Sequence, residues 1–180
     1  MGWIYAFIVS IALFIPSFAK AAPYIGMDVQ WRAISIKGLE SNIFSKRARA
    51  LNFHSGVMIN DDCSIEAGFH SAKSNKNSAS VKMKGIHGSL IRHFPLNEEK
   101  TIHALGGLGL VQLKHSAKHP TYRLDLSRRV PRAIAGAEYS FTPSLRLRLA
   151  FIWEASKGLQ AKADRFRNTY ALNTGLRFSF

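Results

Sequence analysis

The chain ends in a segment whose large apolar and polar residues alternate up to the last position. Residues 168–180 read NTYALNTGLRFSF, and Tyr170, Leu172, Leu176, Phe178 and Phe180 share one parity. Successive side chains of a β-strand point to opposite faces, so this pattern predicts a strand with one apolar and one polar face. We therefore expect a sheet to hold the end of the chain.

The same alternation recurs along most of the sequence. It is clearest in residues 145–154, where five large apolar residues oppose Arg146, Arg148 and Glu154. Residues 79–94 and 100–114 are apolar and glycine-rich but change parity part-way, which predicts a bulge or a glycine kink in each. Most segments reach the length of about 9–11 residues that a tilted membrane strand needs. We predict eight strands, at residues 23–36, 50–60, 63–74, 79–94, 100–114, 130–141, 144–156 and 168–180.

Short and long connections alternate between these strands. Short ones fall at 60–63, 95–99 and 142–143, and each has the residues of a turn. Longer ones run over about 37–49, 115–129 and 157–167, with a smaller loop near 74–79. This order places all short turns at one end of an antiparallel sheet. It predicts an all-β fold, an eight-stranded antiparallel up-and-down barrel.

The first residues predict export. Residues 3–15 are almost wholly apolar and are followed by Ala19, Lys20, Ala21 and Ala22, which resembles a secretory signal peptide with an A-x-A cleavage site. We assign residues 1–21 to the signal peptide and 22–180 to the barrel domain. The apolar run is short for a spanning helix, although an uncleaved anchor is the alternative because no Lys or Arg precedes it. No long apolar run follows residue 21, so we predict no transmembrane helix.

The polar faces of the predicted strands carry balanced charges. If the apolar faces contact lipid, these charges point into the lumen of a barrel that side chains can just fill. Unpaired buried charges are costly, so we expect them to pair, with His54 and His70 among them. The resulting plug disfavours a pore. The predicted lumen ion-pair network is Asp28, Arg32, Glu66, Glu138, Arg146, Arg148, Glu154 and Arg177.

The chain is strongly basic, with 25 Lys and Arg against 11 Asp and Glu and a net charge of +14. Such an excess indicates anionic partners, and export argues against nucleic acid. Acidic residues occupy the short turns, whereas basic residues crowd the long connections. The alternative is that these are solvated loops kept soluble by charge. The predicted polyanion-binding loop residues are Lys46, Arg47, Arg49, Arg128, Arg129, Arg165 and Arg167.

The last strand resembles the C-terminal signature of bacterial outer-membrane barrels, with Tyr170, Leu176, Phe178 and Phe180 at the matching positions. The stretches YIGMDVQWRA, SIEAGF, ALGGLGL and SLRLRLAF resemble the OmpA/opacity-type family of eight-stranded barrels. The resemblance implies an outer-membrane location and recognition of the signature by the barrel-assembly machinery. It also implies extracellular long loops, whose basic residues could contact lipopolysaccharide phosphates or host surface polyanions. A structural or adhesive role follows.

The rival prediction is an enzyme that modifies lipid A, because some barrels of this kind are acyl hydrolases or transferases. Adjacent His and Ser residues occur at His54-Ser55, His70-Ser71 and His115-Ser116. The first two pairs lie within predicted strands, where neighbours point to opposite faces, while the third lies at a strand end or loop. Nothing matches the combined His-x-Ser and Asn-rich motif of the lipid A deacylase barrels. We predict no catalytic site, no metal and no cofactor.

Overall fold

The computed structural model describes residues 22–33, 47–76, 79–119, 122–155 and 168–180. The predicted signal peptide and the connections 34–46 and 156–167 lie outside the described residues. The described chain forms eight strands, as the alternation predicted. They are β1 (Ala22–Ala33), β2 (Arg47–Asn60), β3 (Cys63–Lys76), β4 (Ala79–Pro95), β5 (Ile102–His119), β6 (Tyr122–Ser140), β7 (Leu145–Glu154) and β8 (Thr169–Ser179).

Each strand pairs with its sequence neighbours in an antiparallel ladder, and β1 also pairs with β8 to close the barrel. This closing ladder runs from Tyr24 opposite Ser179 to Ala33 opposite Tyr170. The backbone N–H of Phe180 donates to the carbonyl of Pro23 at 3.0 Å. The predicted fold class is confirmed, and the closing ladder holds the end of the chain.

The two faces of the wall are reversed relative to a water-soluble barrel. Outward apolar side chains are exposed, with Leu108 at 72% and Leu149 at 52% of their full accessible area. Inward carboxylates such as Asp28 and Glu66 are buried. Since period-two strands of a membrane barrel turn their apolar side toward lipid, the exposed rows form the hydrocarbon-facing belt.

The predicted bulges in β4 and β5 are wrong. Pairing between these strands is continuous from Ser80 opposite Lys118 to Pro95 opposite His103. The ladders do contain one register shift, between Met58 and Asn60 of β2. Backbone irregularity therefore does not explain the change of parity in β4 and β5.

The parity changes because both strands continue beyond the lipid-facing belt. Within the belt of β5, Leu108 and Leu110 point outward, whereas beyond it Val111 and Leu113 point inward and Lys114 points outward. A wall that leaves the hydrocarbon turns its polar side to water and its apolar side inward. The inner cluster at this level is Ala48, Ala50, Ala72, Val81, Met83, Val111, Leu113, Ala117 and Val130.

This projecting wall overturns the predicted long loop at 115–129. Residues 115–119 belong to β5 and residues 122–129 belong to β6, so only 120–121 between them lie outside the described chain. Likewise β2 begins at Arg47 rather than at residue 50. Several basic residues assigned to loops are therefore strand residues with a fixed inward or outward direction.

The short turns at 61–62, 96–101 and 141–144 lie at one end of the barrel, here called the turn end; the opposite end is the loop end. The Asn97 Oδ1 accepts a hydrogen bond from the Ile102 N–H at 2.9 Å, and Lys100 adopts a φ of 51°. The sequence predicts that acidic residues occupy the short turns, and Asp61, Asp62, Glu98 and Glu99 all lie at the turn end. Among the described residues there is no helix long and apolar enough to cross a membrane.

Candidate functional site

A compact ion-pair group fills the lumen toward the turn end. Arg148 on β7 donates from Nε to Glu138 Oε1 at 2.8 Å and from Nη1 to Glu66 Oε2 at 2.6 Å. Arg177 Nη1 lies 3.2 Å from Glu138 Oε2, and Arg146 Nη1 lies 3.7 Å from the same oxygen. One arginine thus links carboxylates from β3 and β6, and Glu138 gathers three guanidinium groups.

Asp28 has a different environment from the other three lumen carboxylates. Its Oδ2 accepts hydrogen bonds from the Asn52 amide at 2.8 Å and the Asn173 amide at 3.4 Å. The His54 Nδ1 lies 3.4 Å from the same oxygen. Amide and imidazole groups therefore contact Asp28, and none of its described ion pairs involves arginine.

Nearer the loop end, Arg32 forms a second group with Glu154. The Arg32 Nη2 donates to Glu154 Oε1 at 2.5 Å, and its Nη1 lies 2.9 Å from His70 Nε2. Arg32 Nη1 also lies 3.7 Å from the Met83 sulfur, at the edge of the apolar inner cluster. All eight residues predicted for the lumen network thus point inward. Seven of them form two ion-pair groups at different heights, and Asp28 is held by amide and imidazole groups instead.

Several lumen residues were missed by sequence reasoning. The His87 Nε2 lies 3.0 Å from Asn52 Oδ1, and the His93 Nε2 lies 2.9 Å from Ser64 Oγ. The inward parity of β4 mixes such histidines with Val81 and Met83, so polarity alone does not mark one face of this strand. Six histidines, His54, His70, His87, His93, His103 and His115, are buried in the lumen.

Glycines make room for these imidazole rings. The His70 ring lies over Gly85, and the His87 ring lies over Gly68, each on the neighbouring strand. A Cβ at either glycine would clash with the ring atoms. The inward glycine of one strand thus determines where the large polar side chain of the next can lie.

Five cations form a basic patch on the outer face of the projecting wall. Arg49, Lys73 and Lys82 are consecutive cross-strand neighbours on β2, β3 and β4. Lys84 lies directly opposite Lys114 on β4 and β5. All five side chains are exposed and point away from the lumen.

A groove of about 450 Å³ crosses the basic patch and reaches β6. Lys82, Lys84 and Lys114 line one part of it, and Ser116, Asp125 and Ser127 line the other. Directly opposed like charges destabilise a sheet. The clustered lysines therefore favour binding of a multiply charged anion.

The predicted loop cations are placed differently by the structure. Arg47, Arg49 and Arg129 point outward from strands, not from loops. Arg128 is buried in the lumen, where its Nη1 donates to the Ala155 carbonyl at 3.3 Å. The prediction that Arg128 is a polyanion-binding loop residue is wrong. Arg128 and Arg129 are neighbours in β6, so their side chains point to opposite faces, and that of Arg128 enters the lumen. Lys46, Arg165 and Arg167 lie outside the described residues.

The C-terminal residues predicted as an assembly signal all lie on the lipid-facing surface. Tyr170, Leu176, Phe178 and Phe180 are each more than 40% exposed. The Phe178 and Phe180 rings meet edge to face, with centroids 5.2 Å apart. These exposed aromatic and aliphatic side chains can contact the hydrocarbon of a membrane.

None of the three His-Ser pairs has the geometry of a catalytic unit. His115 is buried in the lumen, while Ser116 points outward from the same strand. His54-Ser55 and His70-Ser71 are divided in the same way. A serine nucleophile needs its base within hydrogen-bond reach. Within the described part of the chain, no group of three His, Cys, Asp or Glu residues could hold a metal ion.

The closed barrel, the apolar belt and the polar lumen agree with comparison to protein families. Residues 5–178 match the model of the outer membrane protein beta-barrel domain. The chain belongs to this family. Its location is the outer membrane, as the sequence predicted. No curated protein matches the sequence significantly.

Solved structures of outer-membrane barrels share this fold. Neisserial surface protein A aligns with a TM-score of 0.70 at 17% identity, over 89% of this chain and 99% of that one. Ail of Yersinia pestis aligns with a TM-score of 0.59 at 15% identity, over 89% and 97%. OprH of Pseudomonas aeruginosa aligns with a TM-score of 0.60 at 12% identity, over 88% of this chain and 99% of that one. At such identities the likeness concerns the fold.

Proposed function

We propose that this outer-membrane barrel binds phosphate groups of lipopolysaccharide through the basic patch, and that this contact gives it a structural or adhesive role at the cell surface. One observation carries the proposal. Arg49, Lys73 and Lys82 form one cross-strand row, and Lys84 and Lys114 form a second row beside it, nearer the turn end. Arg49 is one of the predicted polyanion-binding residues, and the other four extend the predicted set.

The height of the patch supports this ligand. On β4, Ile86 is exposed and belongs to the apolar belt, and Lys84 is the next residue on the same face. Two strand residues span about 7 Å, so the ammonium groups lie one side-chain layer beyond the hydrocarbon. The phosphate groups of an outer leaflet occupy this level, where lysine can form charge-assisted hydrogen bonds with them.

Chemical precedent within the fold also supports an anionic sugar ligand. Ail of Yersinia pestis has been solved in complex with the heparin analogue sucrose octasulfate, with a TM-score of 0.59 to this chain. Phosphate and sulfate esters of a saccharide present the same multiply charged surface to lysine. Host sulfated polysaccharides are therefore the alternative partner of the same patch.

Lipopolysaccharide binding by a double variant, Lys84→Gln with Lys114→Gln, tests the proposal. We expect about tenfold weaker binding, because loss of two exposed charge contacts at ~0.7 kcal/mol each sums to ~1.4 kcal/mol. The charge-matched control is Arg92→Gln with Lys100→Gln. It removes two exposed cations, one on β4 near the turn end and one in the turn 96–101. Equal affinities of both double variants would refute the proposal. Weakened binding of sucrose octasulfate with unchanged binding of lipopolysaccharide would favour the host partner.

A further inference from the structure

A pocket opens on the outer face of the wall at the edge of the apolar belt, where β1 lies between β2 and β8. Its volume is about 600 Å³, within the range of about 300–1,000 Å³ that is typical of small-ligand sites. Arg47 and Arg49 line it from β2, and Phe151, Tyr170 and Leu172 line it from β7 and β8. The pocket is therefore basic on one side and aromatic or aliphatic on the other.

A small residue keeps this pocket open. Ala33 on β1 is exposed and lies directly between Arg47 and Tyr170 in the two adjoining ladders. Two residues earlier on the same face of β1, Trp31 lies opposite Arg49. Because the methyl group of Ala33 is much shorter than the side chains around it, those side chains form walls above a shallow floor.

The aromatic side of the pocket is ordered by ring packing. The rings of Phe151 and Tyr170 stack, with centroids 5.9 Å apart and an angle of 29° between their planes. Trp31 is 45% exposed and Tyr170 is 42% exposed, so both rings keep surface for a ligand. An interfacial girdle explains aromatic residues at this level of a membrane protein. It does not explain a pocket between two such rings and a pair of arginines.

The pocket adjoins the basic patch. Arg49 belongs to both, and it lies in one cross-strand row with Trp31, Lys73 and Lys82. Neighbouring strands are about 4.8 Å apart, so the backbones at Trp31 and Lys73 are separated by about 10 Å. One phosphorylated saccharide can therefore contact the pocket and the nearest residues of the basic patch together.

We propose that this pocket binds a sugar ring of lipopolysaccharide, with the ring against Trp31 and Tyr170 and its phosphate group on Arg49. The C–H groups of a sugar ring give it an apolar face that packs against the negative face of an aromatic ring. A guanidinium matches the geometry of phosphate oxygens and can donate two parallel hydrogen bonds to them. An acyl chain would not use Arg49, and a free phosphate would not use the two rings.

Selection of a sugar ring rests on the proposed function, because it names the part of lipopolysaccharide that the protein recognises. The test compares binding of two anionic lipids in micelles: lipopolysaccharide, and phosphatidylglycerol, which carries phosphate but no sugar ring. We expect Trp31→Leu to weaken lipopolysaccharide binding about fivefold, the effect of losing one aromatic contact, and to leave phosphatidylglycerol binding unchanged. The matched control is Trp153→Leu, on the outer face of β7 outside the pocket, which should change neither affinity.

Tryptophan fluorescence gives a second measurement that leaves Trp31 in place. Trp31 and Trp153 are the tryptophans of residues 22–180, so in Trp153→Phe the emission comes from the pocket. We expect this emission to shift when lipopolysaccharide is added and to stay the same with phosphatidylglycerol. An equal response to the two lipids, including no response to either, would overturn the proposed sugar site.

Equal lipopolysaccharide affinities of Trp31→Leu and Trp153→Leu would also overturn the sugar site. The proposed function fails separately, when Lys84→Gln with Lys114→Gln binds lipopolysaccharide as tightly as its own control. A loss of affinity in that double variant, together with no effect of Trp31→Leu, would leave the basic patch as the binding site and remove the sugar pocket alone.

Discussion

Arg148 Nε donates to Glu138 Oε1 at 2.8 Å across neighbouring positions of β6 and β7, and the same Arg148 reaches Glu66 on the opposite side of the lumen. One side chain thereby joins distant parts of the barrel wall. These groups are buried, so the pairs are screened much less than surface salt bridges. The stability of the barrel depends on keeping each partner.

Removal of one charge from this group should destabilise the barrel strongly. We expect Glu138→Gln to lower the free energy of unfolding by about 3–5 kcal/mol, because three guanidinium groups lose a shared carboxylate. Urea unfolding in micelles, followed by tryptophan fluorescence, measures the change. Glu99→Gln, in an exposed turn, should change it by less than about 0.5 kcal/mol. Similar effects of both substitutions would contradict the ion-pair account.

The filled lumen predicts that the protein does not conduct ions. Most inward side chains of the described strands are buried, and an eight-stranded barrel leaves an interior that side chains can fill. Purified protein in planar bilayers should give no stepwise conductance above the background of the empty membrane. Reproducible single-channel steps would show that the two ion-pair groups do not block the lumen.

A charge placed in the apolar belt should prevent stable insertion. We expect Leu149→Arg to cost about 2–4 kcal/mol, the range for arginine near the midplane of a bilayer. Leu96 is also exposed but lies in a turn, so Leu96→Arg is the matched control. The fraction folded after refolding into lipid vesicles measures both effects. Equal yields would mean that Leu149 does not face hydrocarbon.

Deletion of Phe180 separates assembly in cells from stability. The residue contributes one backbone hydrogen bond to Pro23 and an edge-to-face contact with Phe178. If the assembly machinery reads the last aromatic residue, the deletion should reduce the amount in the outer membrane several-fold. Refolding of the purified protein in micelles should change little by comparison. Comparable losses in both settings would assign Phe180 a structural role alone.

The strictness of the alternation decided how well each strand was predicted. In β7 the outward residues are apolar, in β8 all of them but Thr174 are, and the inward residues are mostly polar, so both strands and the inward direction of Arg148 followed from parity. Beyond the membrane the contrast inverts, as it does at Lys114 and Leu113 of β5, and a single sequence does not mark where the hydrocarbon ends. The sequence therefore predicts a loop at 115–129, where the structure has strand residues of β5 and β6.

The lumen contacts followed from the sequence only in part. Parity places Arg32 and Glu154 on inward faces, but their pairing crosses 122 positions and depends on the closure of the barrel. Arg128 and Arg129 are adjacent identical residues with opposite environments. Without the strand around them, nothing in the sequence distinguishes the buried arginine from the exposed one.

The central claim is that the apolar rows of the wall contact hydrocarbon while the charged groups meet inside. The most direct test is the accessibility of a nitroxide label at Leu108→Cys, in a Cys63→Ser background, to oxygen and to a water-soluble nickel chelate in lipid vesicles. The account predicts high oxygen and low nickel accessibility at position 108, with the reverse at a Glu99→Cys control in the turn. Nickel accessibility at position 108 equal to that of the turn would contradict it.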